Sequence, residues 1–435
     1  MKKILAALIV LILIFNGCGD NSKDNSGVIT INFWHSFVSR TIPALNSLIA
    51  KYEKEHPGIH INAQYVPSGD PLVQKLVTAI QSNTAPDVSW IHSDFLNKLV
   101  EADAIYKMDH FISGKNGLSK EEMDDIFPQS LQSAKWRDTL YAMPMEATTL
   151  ALIYNKTKFK EAGIDPDKPP QNWDELYDYA MKLTKDKNGD GKTDQYGFYI
   201  PAFPASGPLS IWMVLQWTPF LWQAGGEEIN TGQTAVLFNS DAGVQALSYW
   251  KKIFNMENFK NFTLTHDLGF ISNTIAMIMD GPWDLPEFRE IKNFEWGVTY
   301  LPAGPVKRAT YMAGEHLAIF KQSMHPDETW AFVKWILEPE NQAMFSEESG
   351  YLPVRKSVLD LPGYKKYLDG DPAMKAFVDQ IAISQARAPI DFFRVEINQN
   401  IAEAVENAIL GNVGPGAALN EAAEKSNRLL STVNK

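Results

Sequence analysis

The chain has 435 residues, 40 basic against 52 acidic side chains, a formal charge of −12 and a single cysteine. That balance excludes a basic nucleic-acid footprint, and one cysteine excludes an internal disulfide framework. The length suffices for two or three domains, each stable by core size alone.

In chain order, Lys2 and Lys3 precede an apolar run from Ile4 to Phe15. The run is shorter than the about 20 residues that span a bilayer and fits the core of a signal peptide over residues 1–17. It ends in Asn16-Gly17-Cys18, which resembles a bacterial lipoprotein signal, with Phe15 where a leucine is usual. The resemblance implies a diacylated Cys18; the alternative is an ordinary secretory signal with a chance cysteine. Residues 18–27 are polar and read as a flexible tether. No later segment reaches 18 consecutive apolar residues.

From Val28 strands and helices alternate. The pattern predicts strands over 28–33, 59–66 and 86–91, with helices over 42–55 and 70–81 between them. Pro43 is tolerated in a first helical turn, and His56-Pro57-Gly58 ends that helix. Further strands are expected over 148–154, 196–200, 274–279, 296–301 and 317–320. Helices are expected from Asn172, where Asn172 and Glu175 form a capping-box variant, and over 241–254, 327–337, 399–410 and 417–433. Strands and helices in alternation indicate an α/β fold with parallel sheet. No repeat or long linker interrupts the body.

Several ordered segments carry a family resemblance: Phe33-Trp34-His35-Ser36-Phe37, Ala85-Pro86-Asp87-Val88, Pro144-Met145-Glu146 leading to Leu152-Ile153-Tyr154-Asn155-Lys156, Asn172-Trp173-Asp174-Glu175-Leu176, Ala276 to Trp283, and the terminal helix pair around Gly411 and Ala417. Together they resemble the extracellular solute-binding proteins of ABC sugar importers, the maltose-binding-like group. The resemblance implies two α/β lobes, a hinge and a ligand cleft between them. It places residues 28–146 and 302–324 in the N-terminal lobe, and 147–301 and 325–435 in the C-terminal lobe. Crossings are expected near 143–148, 299–302 and 322–326. It also implies a monomer, permease subunits of an ABC transporter as partners, and a cell-envelope location on the periplasmic or extracellular face.

A sugar offers apolar C–H faces to aromatic rings and hydroxyls to carboxylates and amides. Trp283, after Gly281-Pro282, sits where the family stacks its ligand, and Glu146 where the family often places a hydroxyl-binding acid. Trp34, His35 and Ser36 follow the first strand, and His92, Ser93 and Asp94 the third, at the strand ends where open α/β sheets bind ligands. Trp222, expected in a loop, Glu315 with His316, Tyr351 and Trp212 complete the aromatic and acidic candidates. Arg394 and Arg355 are the cations that a glycerol-3-phosphate-binding member of the same fold would need.

Asp186 to Asp194 follows the D-x-N-x-D-G calcium-loop pattern, with Asp186, Asn188, Asp190, the Lys192 carbonyl and Asp194 as candidate ligands. Position twelve is Gly197 rather than a bidentate Glu. The expected ion is structural, and no other cofactor is expected. There is no G-x-S-x-G, P-loop or H-E-x-x-H motif, so an enzyme is not expected. The favoured ligand is a di- or oligosaccharide. The alternatives are glycerol 3-phosphate, a glycan-acting enzyme with two carboxylates, and a surface adhesin.

Overall fold

The computed structural model describes residues 27–201, 208–257, 264–387, 390–411 and 413–433. The signal peptide, Cys18 and the tether up to Ser26 lie outside the described residues. Two sheets dominate. In the first, Ile59–Tyr65, Ile29–His35 and Val88–His92 run parallel, and Glu315–Ile319 and Met143–Pro144 join antiparallel. The second has the order Trp296–Thr299, Ala151–Asn155, Ile275–Asp280 and Tyr196–Phe198.

Local sequence explains these elements. Ile31, Phe33 and His35 alternate inward along the first strand. The helix Ile42–Glu55 buries Ala44, Leu45, Leu48, Ile49 and Tyr52, one stripe of a 3.6-residue period. Ala151–Asn155 and Ile275–Asp280 are buried at every position, as strands covered on both faces must be. Asn172 caps Trp173–Leu183 by accepting from the Glu175 amide at 2.9 Å.

A small sheet of Ser384–Gln385, Thr310–Ala313 and Thr148–Thr149 joins the two large ones. One crossing runs from Met143–Pro144 through Thr148–Thr149 to Ala151–Asn155. The next departs from expectation. Residues 302–309 stay with the second lobe, because Ala303 bonds Gln171, and Val306 and Lys307 donate to the Gln223 carbonyl. The chain crosses at Thr310–Gly314 instead. The third crossing also moves. Pro326–Ile336 and Pro339–Ser349 pack on Ile42–Glu55 of the first lobe, anchored by Trp335 Nε1 donating to Glu55 at 2.8 Å. The chain touches the second lobe at Gly350, against the Pro282 carbonyl, and at Tyr367, which accepts from Arg289 at 2.9 Å, and joins it with Pro372–Asp379, which packs on Trp296–Thr299. The boundary expected at 325 therefore falls after Ser349.

Trp222 is a further correction. It lies in the helix Pro208–Gln223, not in a loop. Uniformly apolar composition makes this a buried core helix, in which Trp217 and Trp222 are fully enclosed.

Candidate ligand site

The ends of the first sheet's strands, the small hinge sheet and the turn Pro282–Asp284 enclose a cleft of about 220 Å³. Ser36, Ser68, Trp90 and His92 line it from the first lobe, Thr148, Tyr311, Glu315 and Tyr351 from the hinge region, and Trp212, Leu215 and Trp283 from the second lobe. Trp90 and His92 reach it together because alternate residues of one strand share a face.

The aromatic wall depends on a close backbone approach. Gly350 has φ +86°, and a Cβ there would lie 2.3 Å from the Pro282 carbonyl. Only glycine lets the chain pass and set Tyr351 beside Trp283, their ring centroids 6.3 Å apart. Trp212 meets Trp283 edge-on at 5.9 Å and is backed by the stacked imidazole of His266 at 5.1 Å. Three rings from separate segments thus form a shelf of fixed geometry.

Opposite the shelf stands a carboxyl pair. At Gly314 a Cβ would lie 1.8 Å from the Glu146 carbonyl, so the two crossing strands touch there. Met145 N donates to the Glu315 carbonyl at 2.9 Å, and Trp90 Nε1 donates to Glu146 Oε1 at 3.3 Å. Burial and the facing Glu315 carboxylate push the Glu146 carboxyl well above the usual range. Glu146 therefore favours its protonated form, and its Oε2 accepts from no donor. Burial, with Glu315 and Glu146 nearby, also holds Tyr351 as a neutral phenol. The cleft thus offers aromatic faces, an acid pair and hydroxyl donors; its lining includes no lysine or arginine.

Of the residues expected from sequence, Ser36, Trp283, Glu315 and Tyr351 line this cleft and Glu146 stands behind Glu315. Trp212, the weaker candidate, also lines it. Trp34 does not: its ring lies under the Lys75 ammonium at 4.1 Å, on the opposite strand face from His35. His35 packs among Phe33, Phe37 and Tyr65, and burial lowers its pKa to about 4. His316 is likewise buried.

Asp94 and Arg394 line a separate pocket of about 40 Å³ that shares Tyr311 with the cleft. They belong to a buried charge network behind the cleft. Arg387 reaches Asp94 at 3.3 Å and Glu228 at 2.8 Å, and Arg394 reaches Glu228 at 2.9 Å. Asn398 donates to Asp94 at 2.9 Å. Burial pushes the Asp94 and Glu228 carboxyls up, but the two guanidiniums outweigh it and hold both below their usual values. Two acids and two arginines leave no charge over for a ligand. Arg355 is also spent, donating to Asp125 at 2.6 Å. Trp90, His92, Thr148 and Tyr311 were absent from the expected set of lining residues or, for His92, ranked below Asp94. Trp90 and His92 carried a usable signal, their shared face on a strand ending at the cleft. Tyr311 carried none, because the crossing was expected elsewhere.

Away from the cleft, Asp186 accepts from the Gly189 and Gly191 amides, Asn188 from Asp190, and Asp190 from Lys192, at 2.7 to 2.9 Å. Asp194 accepts from Lys187 at 2.7 Å. The loop is preformed, and each carboxylate keeps further lone pairs. Gly197 lies in the strand Tyr196–Phe198, where a Cβ would meet the Ala180 carbonyl at 2.1 Å, so no twelfth-position ligand exists.

A family model described as bacterial extracellular solute-binding protein matches residues 47–376. The sn-glycerol-3-phosphate-binding periplasmic protein of Escherichia coli strain K12 is 24% identical over 425 residues, 94% of each chain. The cyclic alpha-maltosyl-1,6-maltose binding protein of Arthrobacter globiformis superimposes with a TM-score of 0.78 at 25% identity, covering 93% of this chain and 100% of that one. An ABC transporter solute-binding protein of Thermotoga lettingae bound with alpha-D-tagatose gives 0.79 at 25% identity, covering 92% and 100%. The fold is the two-lobed binding-protein fold.

Proposed function

This chain belongs to the bacterial extracellular solute-binding proteins, and from that premise we propose that it captures an uncharged di- or oligosaccharide between its lobes and delivers it to the permease of an ABC importer. The observation that carries the reading is the cleft itself: the Trp212–Trp283–Tyr351 shelf faces an acid pair, with no lysine or arginine in the lining. Rings cover sugar C–H faces, and Glu315, Thr148 and Ser36 suit hydroxyls. Ligand that touches both lobes favours the closed form, which a transporter can distinguish.

The Escherichia coli relative is named for glycerol 3-phosphate. A phosphate calls for a guanidinium or ammonium, and Arg394, the cation expected for it, is bound to Glu228 and Asp94. A glycan-acting enzyme would present to its substrate two carboxyls about 5 Å or more apart; Glu146 is buried behind Glu315 and does not line the cleft. The test is a thermal-shift panel of maltose, maltotriose, tagatose and glycerol 3-phosphate. A native-state ligand at a hundredfold excess over Kd stabilises by about 2.7 kcal/mol. A shift with neutral sugars supports the reading, and a shift with glycerol 3-phosphate alone overturns it.

The same reading includes a lipid on Cys18, which anchors the protein at the outer face of the membrane; retention of a Cys18→Ser variant in the membrane fraction would refute that anchor. It also includes a structural calcium held by Asp186, Asn188, Asp190, Asp194 and the Lys192 carbonyl. Calcium then raises the melting temperature and a chelator reverses the rise.

A further inference from the structure

We propose that Arg40 is a positioning residue for ligand capture, a latch that crosses between the lobes and docks in an acidic recess under the Trp283 shelf. The inference rests on the two-lobe capture reading. Arg40 lies in the short turn Ser39–Thr41 that opens the helix Ile42–Glu55 of the first lobe. Its partners all belong to the second lobe. Its guanidinium contacts Asp284 and Glu287 and lies 3.5 Å from Asp267. Asp284 directly follows Trp283, and Asp267 directly follows His266, the ring that backs Trp212. The ion pairs therefore grip the two segments that carry the aromatic shelf.

The second lobe supplies more acid than it can balance by itself. Asp280 and Asp284 are almost fully enclosed, at 0% and 1% exposure. His266 Nε2 lies 3.2 Å from Asp280 Oδ1, and burial beside Asp280 raises the Asp284 carboxyl well above its usual value, which only a cation from elsewhere opposes. Arg40 is that cation, and it arrives only with the first lobe. Opening the cleft would strip Asp284 of its partner while leaving it largely buried, which disfavours the open form. A planar guanidinium suits the task, since it meets several carboxylates at once where an ammonium is a single point. Arg40 does not line the cleft, so it acts on ligand through closure and through the seating of Trp283.

The test reads lobe separation directly. In the chain with Cys18→Ser, cysteines placed at Val77 and Met181, exposed helix positions of the first and second lobe, carry spin labels. Distances are compared for the parent chain, Arg40→Met, Arg40→Lys and Glu287→Gln, each with and without maltotriose. Glu287 is 39% exposed, so its variant threatens the fold least. The expected result is a shift to longer distances in Arg40→Met and a smaller shift in Glu287→Gln, with partial recovery in Arg40→Lys. Affinity for the sugar that wins the thermal-shift panel falls roughly tenfold or more in Arg40→Met. Coincident distance distributions for all four chains in both conditions overturn the latch. If instead no sugar moves the parent chain while Arg40→Met still separates the lobes, the latch stands and the sugar reading fails.

Discussion

At Trp283 one indole carries most of what the shelf offers a ligand. It meets Trp212 and Tyr351 but remains half-buried, so truncation removes contact area without opening the core. Trp283→Ala should weaken sugar binding by about 1–3 kcal/mol with little change in melting temperature; equal affinity in calorimetry would remove Trp283 from the site. Glu146 works differently. Its carboxyl is raised by burial and by Glu315, so folding favours the protonated form. Its stabilising contribution is complete below the unfolded value near 4.5 and is lost as pH rises through the folded pKa. Glu146→Gln keeps a neutral donor without that loss. The variant should gain in urea stability over the parent as pH rises above the unfolded value near 4.5, and parallel curves would show that Glu146 is not raised.

Among the elements, the helix Arg394–Leu410 ties the hinge to both lobes: it packs on Pro208–Gln223 and on the turn Ser93–Phe95. Its Arg394 completes the neutral set with Asp94, Glu228 and Arg387. Removing one partner of a buried pair leaves the other uncompensated, so Arg394→Met should cost roughly 3–5 kcal/mol in urea unfolding. A cost below about 1 kcal/mol would mean that the network relaxes around the loss. This element also shows where sequence reading reached its limit. Period-2 and period-3.6 patterns announced most strands of both sheets and the stripe of Ile42–Glu55, and the ordered motifs marked Trp283 and Glu146. They did not announce which acids would meet which arginines. Asp94 and Arg394 are 300 residues apart in sequence, and their pairing depends on where the chain crosses. Trp222 was misplaced because a helix apolar on every side has no periodic stripe to read.

For the molecule as a whole, buried imidazoles and buried acids oppose one another on acidification. His35 and His316 are lowered by burial to about 4 and about 3 from 6.5. A histidine with a depressed folded pKa stabilises fully above its unfolded value, and that stability is lost as pH falls from 6.5 toward the folded value. By the shifts alone they are worth on the order of 3 and 5 kcal/mol. Glu146 and Asp284, both raised by burial and a neighbouring carboxylate, work the other way over the same interval, gaining stability as pH falls, two groups against two. Asp94 and Glu228, held low by Arg387 and Arg394, stabilise above their unfolded values of 3.8 and 4.5 and add their loss only below that. The parent chain should therefore hold nearly level stability between pH 6.5 and 4.5 and lose it below. Glu146→Gln, freed of one of the two opposing groups, should lose stability across that upper interval with the slope of about one proton. Urea midpoints taken along the pH range read both slopes. A parent curve that falls steeply between pH 6.5 and 4.5 would mean that the raised acids do not oppose the imidazoles, and a variant no steeper than the parent would mean that Glu146 is not raised.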